Sequence, residues 1–167
     1  ATIEEALEAA LKGAVAGREA FREKVALELG GTISWEVMSA QINPYLEHRI
    51  MWAVENALDQ TKSWEERYEI AIRTLGTSVD MIETVPVSIA VALIADGDPY
   101  KAACLGANAG GDTDSIASVA SALVGAVSGT AGFPKSLIDQ LQEVNDIDLE
   151  SLGERLANAA DTSALTK

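Results

Sequence analysis

Six consecutive residues, Gly110-Gly111-Asp112-Thr113-Asp114-Ser115, concentrate the oxygen chemistry of this chain. The two glycines end one helical pattern and an acidic residue opens the next. Asp112 therefore stands at a helix N-cap, where a carboxylate can accept the unpaired backbone N–H groups of the first turn. Asp114 and Ser115 follow inside that turn. Helical side chains lean toward the N-terminus, so the spacing predicts three oxygen-bearing groups converging just ahead of the helix end. Such a set suits a hard divalent cation, which prefers oxygen ligands.

Two effects oppose each other there. A helix N-terminus carries roughly +0.5 charge and repels a cation. Two ionised carboxylates outweigh it, and the dipole helps to keep both ionised. The same N–H groups welcome phosphate, so a metal and a phosphorylated ligand can share this end. A bare Asp-x-Asp-Ser is equally what a capped helix with a spare surface aspartate looks like. Known loops fit poorly. Ile116 and Ala117 stand where an EF-hand needs a ligand and a turn glycine, and no lysine follows the glycines as a phosphate loop requires.

The segment Gly-Gly-Asp-Thr-Asp-Ser-Ile-Ala and the small-residue helix from Ser118 to Gly129 closely resemble the C-terminal signature of the ADP-ribosylglycohydrolase family. Glu83-Thr84-Val85-Pro86 and Gly97-Asp98-Pro99 are similar to that family's approach to the signature. The resemblance runs over most of residues 2–133 and is most specific at 106–129. It implies a compact, orthogonal all-α bundle, with two Mg2+ ions, that hydrolyses a glycosidic bond to ADP-ribose. Asp112, Asp114 and Ser115 match the C-terminal metal ligands, Ser115 replacing a more usual threonine. Gly110, Gly111 and Thr113 are the candidate substrate-binding positions. The family's other ligands lie in an N-terminal Thr-Asp-Asp segment, and these 167 residues contain no such tripeptide. The chain thus resembles the C-terminal half of the domain. Either a separate chain or segment supplies the N-terminal metal-binding half, or this is a degenerate relative.

The bulk properties agree with a helical globular chain. Its 167 residues amount to one domain by length, so residues 1–167 form a single all-helical domain or a half-domain. Hydrophobic content is 48% with only 5% aromatic, and the abundant alanine allows helices to approach closely. A net charge of −14 disfavours nucleic acid and anionic membranes as partners and favours cations. The single cysteine, Cys104, reads as a small buried hydrophobe, and its isolation suits a cytoplasmic location. The longest apolar run, Val85 to Ala95, is too short to span a bilayer.

Several elements can be placed from capping and spacing. Thr2-Ile3-Glu4-Glu5 and Ser63-Trp64-Glu65-Glu66 are capping boxes. The first opens a helix that ends at Gly30-Gly31. Within it Gly13 and Gly17 cost helix stability, for which a close neighbouring backbone would compensate. Ser34-Trp35-Glu36-Val37 suggests a short helix, and Asn43-Pro44 starts one that continues through Leu58. His48, alone among charged neighbours, is a partly exposed helix residue rather than a zinc ligand. The helix from Ser63 ends at Gly76, and Thr77 or Ser78 restarts the pattern. Val87 to Ala95 is apolar nearly all round and should be central, with Pro86 marking a kink or a fresh start. Glu83 is either a capping carboxylate or a group standing behind the site.

Asp98-Pro99 caps the helix that runs to Ala109. Asn108 finishes that helix or contacts a ligand. Ile116, Val119, Ala120, Leu123, Val124 and Val127 mark the next helix as core. Pro134 to Leu141 and Leu149 to Ala160 are the last two helices, and 161–167 fray. No strand alternation is visible. Two functions follow: a magnesium-dependent ADP-ribose glycohydrolase whose general acid or base is not identifiable here, or a non-catalytic structural or binding relative.

Overall fold

The computed structural model describes residues 2–28 and 46–164. The sequence expectations for Gly30-Gly31, Ser34 to Val37, Asn43-Pro44 and residues 165–167 lie outside them. Every regular element among the described residues is helical: α1 (Ile3–Glu28), α2 (Leu46–Leu58), α3 (Trp64–Leu75), α4 (Met81–Ile94), α5 (Pro99–Ala107), α6 (Thr113–Ser128), a 3-10 turn (Gly129–Gly132), α7 (Lys135–Asn145) and α8 (Leu149–Ala164). The all-α class therefore stands. Contacts divide the chain into two units, residues 1–132 and 133–167.

The first unit is built on α4, which packs against α2, α3, α5 and α6. Its sequence explains this position. Pro86, Val87, Ser88, Ile89, Ala90, Val91, Ala92 and Ile94 are all buried, so the helix has no polar face to give to water. Neighbouring helices contribute alanines and a few larger aliphatics: Ile50, Ala53 and Ala57 from α2, Ala71 and Leu75 from α3, Ala102 from α5. The buried face of α6 is Ile116, Ala120 and Val124, one residue per turn. This stripe is narrower than the sequence suggests, because Val119 and Val127 are exposed.

Pro86 lies well inside α4, which starts earlier than its apolar run implies, at Met81 after Asp80. A helical proline lacks the N–H that would bond the carbonyl four residues back. Here that carbonyl belongs to Ile82, and the Arg49 Nε of α2 donates to it at 2.8 Å. The same guanidinium donates through Nη2 to the Leu75 carbonyl at the end of α3. One arginine thus satisfies the acceptor that the proline orphans and ties α2, α3 and α4 together.

Both sequence-read capping boxes form. Ser63 Oγ accepts from the Glu66 N–H at 3.2 Å and the Glu66 carboxylate accepts from the Ser63 N–H at 2.8 Å. Thr2 and Glu5 exchange the equivalent pair. The glycines of α1 behave otherwise than expected. A Cβ at Gly13 or Gly17 would meet nothing within 4 Å, so among the described residues no close backbone offsets their cost.

In the second unit, α7 outruns its expected end at Leu141 and stops at Asp146, which takes the left-handed conformation at φ 51°, ψ 48°. Asp148 then caps α8 by accepting from the Ser151 N–H at 3.0 Å. Helix α8 continues to Ala164, past the point where the sequence suggests fraying. Neither helix presents a buried side chain among its described residues.

Candidate metal-binding corner

The hairpin α5–α6 carries the corner, and small residues decide its geometry. Gly106 lies so close to α6 that a Cβ there would stand 2.4 Å from the Ala117 Cα. No side chain fits that space, so the two helices cross at backbone contact. At its far end, the Ser128 hydroxyl donates to the Gly97 carbonyl at 2.8 Å, tying the end of α6 to the turn that starts α5. Asp98 caps α5 by accepting the Lys101 N–H at 2.9 Å, with Pro99 in the first turn. The Tyr68 hydroxyl, whose pKa burial pushes up, donates to the Leu105 carbonyl at 2.8 Å.

Helix α5 stops at Ala107, two residues before the expected Ala109. Asn108 Nδ2 donates to the Cys104 carbonyl at 2.7 Å, so Asn108 closes its own helix. Cys104 itself is exposed, against the expectation of a buried thiol. The chain then turns through Gly110 and Gly111, at φ 80° and 65°. These values favour glycine over any residue with a Cβ. Gly111 is constrained twice, since a Cβ would stand 2.1 Å from the Thr77 carbonyl oxygen. That carbonyl accepts the Asp112 N–H at 2.7 Å. The turn is thus locked onto the loop Gly76–Asp80 between α3 and α4.

Asp112 departs from the sequence expectation. It occupies the N-cap position at φ −83°, ψ 60°, yet its carboxylate makes no capping hydrogen bond. Among the described residues, none hydrogen-bonds the side chain of Asp114 or Ser115 either. Asp112, Thr113 and Ser115 are half-buried and Asp114 is exposed. The N-terminus of α6 therefore presents two carboxylates and a hydroxyl without internal partners. A hard cation asks for such a donor set, since it must win oxygen atoms that are not already bonded. Among the described residues, no group of three or more His, Cys, Asp or Glu side chains could hold a metal ion. The corner fits one side of a magnesium site and does not enclose an ion by itself.

The loop behind the corner is itself held from below. The Glu83 carboxylate accepts the Ser78 N–H at 2.9 Å, and the Thr84 hydroxyl donates to the Ser78 carbonyl at 2.8 Å. That bond from Ser78, with Arg49 nearby, holds the Glu83 pKa below the ordinary carboxylate value. The stabilisation it brings is present above the ordinary value and is lost as pH falls through the lowered one. Glu83 is thus not a cap on its own helix but the anchor of the preceding loop. Thr77 and Arg49 escape a reading of the sequence. A signal for Arg49 exists in principle, because Pro86 announces an orphaned carbonyl that some donor must meet.

Comparison with known proteins agrees with this architecture. The family model described as ADP-ribosylglycohydrolase matches residues 2–165. A curated relative, the uncharacterized protein YegU of Escherichia coli (strain K12), is 36% identical over 104 residues, which make up 62% of this chain and 30% of the relative. The chain thus matches less than a third of that relative's length. No solved structure matches. The chain belongs to the ADP-ribosylglycohydrolase family.

Proposed function

We propose that this chain provides the C-terminal metal-binding wall of a magnesium-dependent glycohydrolase that cleaves a glycosidic bond to ADP-ribose. The observation that carries the proposal is the uncapped start of α6, where Asp112 occupies the cap position without using its carboxylate as a cap. The start of α4 also lacks a side-chain cap, but the first turn of α6 adds a second carboxylate, Asp114, and the Ser115 hydroxyl to the open Asp112.

Asp112, Asp114 and Ser115 would hold magnesium from this side, and two ions are expected in the complete site. Bound magnesium would supply electrostatic clamping of sugar hydroxyls and of a water molecule. The residues of this chain contribute orientation and charge. Gly110 and Gly111 bring bare backbone to the surface beside the carboxylates, leaving room for a ribose. Thr113 adds a hydroxyl at the first helical position, and the N–H groups of the first turn favour a phosphate oxygen. Cleavage of a glycosidic bond passes through an oxocarbenium-like state, and a net anionic corner favours the positive charge that develops on the sugar. A further segment carrying the N-terminal metal ligands is part of the proposal, as is a cytoplasmic location.

The test is release of free ADP-ribose from an ADP-ribosylated substrate by a protein containing both walls, with and without magnesium. Magnesium-dependent release that Asp114→Ala reduces by at least a hundredfold is the expected result. A second reading is a non-catalytic relative that keeps the metal corner, favoured by the small donor set on this chain. Magnesium-dependent binding of ADP-ribose without turnover would select it, and neither binding nor release would remove both.

A further inference from the structure

We propose that Glu83 is a positioning residue for the metal corner, acting through the loop Gly76–Asp80 on the backbone of Asp112. The proposal rests on the corner being functional. The connection itself stands on geometry that does not involve metal.

The links run in one direction. Gly76 ends α3 at φ 78°, and a Cβ there would stand 2.5 Å from the Glu83 carboxyl carbon. The carboxylate therefore lies directly against the loop's first residue. It accepts the Ser78 N–H at 2.9 Å while the adjacent Thr84 hydroxyl takes the Ser78 carbonyl at 2.8 Å. Both polar groups of Ser78 are thus fixed by the first turn of α4. Arg49 holds the two flanks, at the carbonyls of Leu75 and Ile82. Between them the Thr77 carbonyl accepts the Asp112 N–H at 2.7 Å. Gly111 packs against the same carbonyl.

A carboxylate three residues past the cap of its own helix would ordinarily serve that helix. Glu83 instead serves the preceding loop, and α4 begins at Asp80 without any side-chain cap. The loop's order is what this arrangement secures. Asp112 has no capping bond of its own to set its conformation, so the backbone bond to Thr77 is the contact that aims it. Releasing Ser78 frees Thr77, and freeing Thr77 lets the turn at Gly110-Gly111 relax away from the geometry that presents both aspartates.

The experiment compares the unaltered chain with Glu83→Ala, Glu83→Gln and a control, Ala71→Gly. The control weakens the core of the first unit and touches neither the loop nor the corner. Amide hydrogen exchange at Asp112 is read on each, and the magnesium dissociation constant on each within a protein containing both walls. Exchange at Asp112 should quicken at least tenfold in Glu83→Ala, with a tenfold weaker magnesium affinity. Glu83→Gln keeps an oxygen that can accept the Ser78 N–H and should stay within about threefold on both. Ala71→Gly should leave magnesium affinity unchanged at a temperature where it is folded. Unaltered exchange at Asp112 in Glu83→Ala, or a loss no greater than in the control, overturns the proposal. If Glu83→Ala does not fold, Glu83→Asp, one methylene too short to reach Ser78, must show the faster exchange or the proposal falls. Absence of magnesium binding in the unaltered protein with both walls would count against the metal reading alone, because exchange at Asp112 still decides the positioning role.

Discussion

Two helix starts in the first unit solve the same problem in opposite ways. At the start of α3, Ser63 and Glu66 close each other's backbone N–H groups. At the start of α6, Asp112 occupies the equivalent position and closes nothing. Aspartate caps as well as serine does, so residue type does not explain the difference. The backbones of the two positions also differ. Ser63 is extended at ψ 163°, which folds its side chain back over the first turn. Asp112 sits at ψ 60°, held there by the Thr77 carbonyl and by two glycines with positive φ. The first start closes its own N–H groups with side chains, and the second leaves its oxygens open.

The comparison breaks most severely if the backbone that aims Asp112 is disturbed. Gly106→Val would drive side-chain atoms into the Ala117 backbone, which lies 2.4 Å from where a Cβ would stand. Backbone cannot give way as a flexible side chain can, so the cost should reach about 3 kcal/mol, the upper range for overpacking. Urea unfolding measures it. A loss below about 1 kcal/mol would mean that α5 and α6 do not cross at backbone contact.

The next effect falls on the start that does close itself. Ser63→Ala removes one capping bond and should cost about 1 kcal/mol, read as a lower urea midpoint with unchanged slope. Gly13→Ala should move the other way. Its Cβ would meet nothing within 4 Å, and alanine in an exposed helix interior is worth about 0.5–1 kcal/mol over glycine. A loss instead of a gain would show that α1 has a close neighbour at Gly13.

The fold class was legible because its signals are local. Capping boxes, Asp98-Pro99 and the apolar stretch after Pro86 each depend on residues within a turn or two of one another, and each appears where the sequence puts it. The misjudged features depend on partners far along the chain. Cys104 lies in an alanine-rich helix, but which side of a nine-residue helix faces outward is set by what packs against it. Gly13 and Gly106 look alike in sequence. One faces open space and the other the Ala117 backbone. At the corner the sequence places Asp112, Asp114 and Ser115 together at one helix start, yet it predicts a capping bond for Asp112 that does not form. The bond from Asp112 to Thr77 joins residues over thirty positions apart and leaves no periodic trace.

The smallest stability effect sharpens the contrast furthest. Asp112→Asn keeps the shape of the side chain and removes its charge. Because the carboxylate makes no capping bond, unfolding without magnesium should change by less than about 0.5 kcal/mol, within the range of ordinary surface substitutions. In a protein containing both walls magnesium should raise the thermal midpoint, since a ligand that binds only the folded state stabilises it by mass action, and the variant should lose that rise. The pairing of results matters more than either one. A metal-free loss comparable to that of Ser63→Ala would make Asp112 a cap after all and dissolve the distinction between the two starts. A rise in midpoint that survives the substitution would leave the open carboxylate without a task. Only an unchanged metal-free stability with an abolished magnesium response fits a helix start whose cap residue has been reserved for a cation.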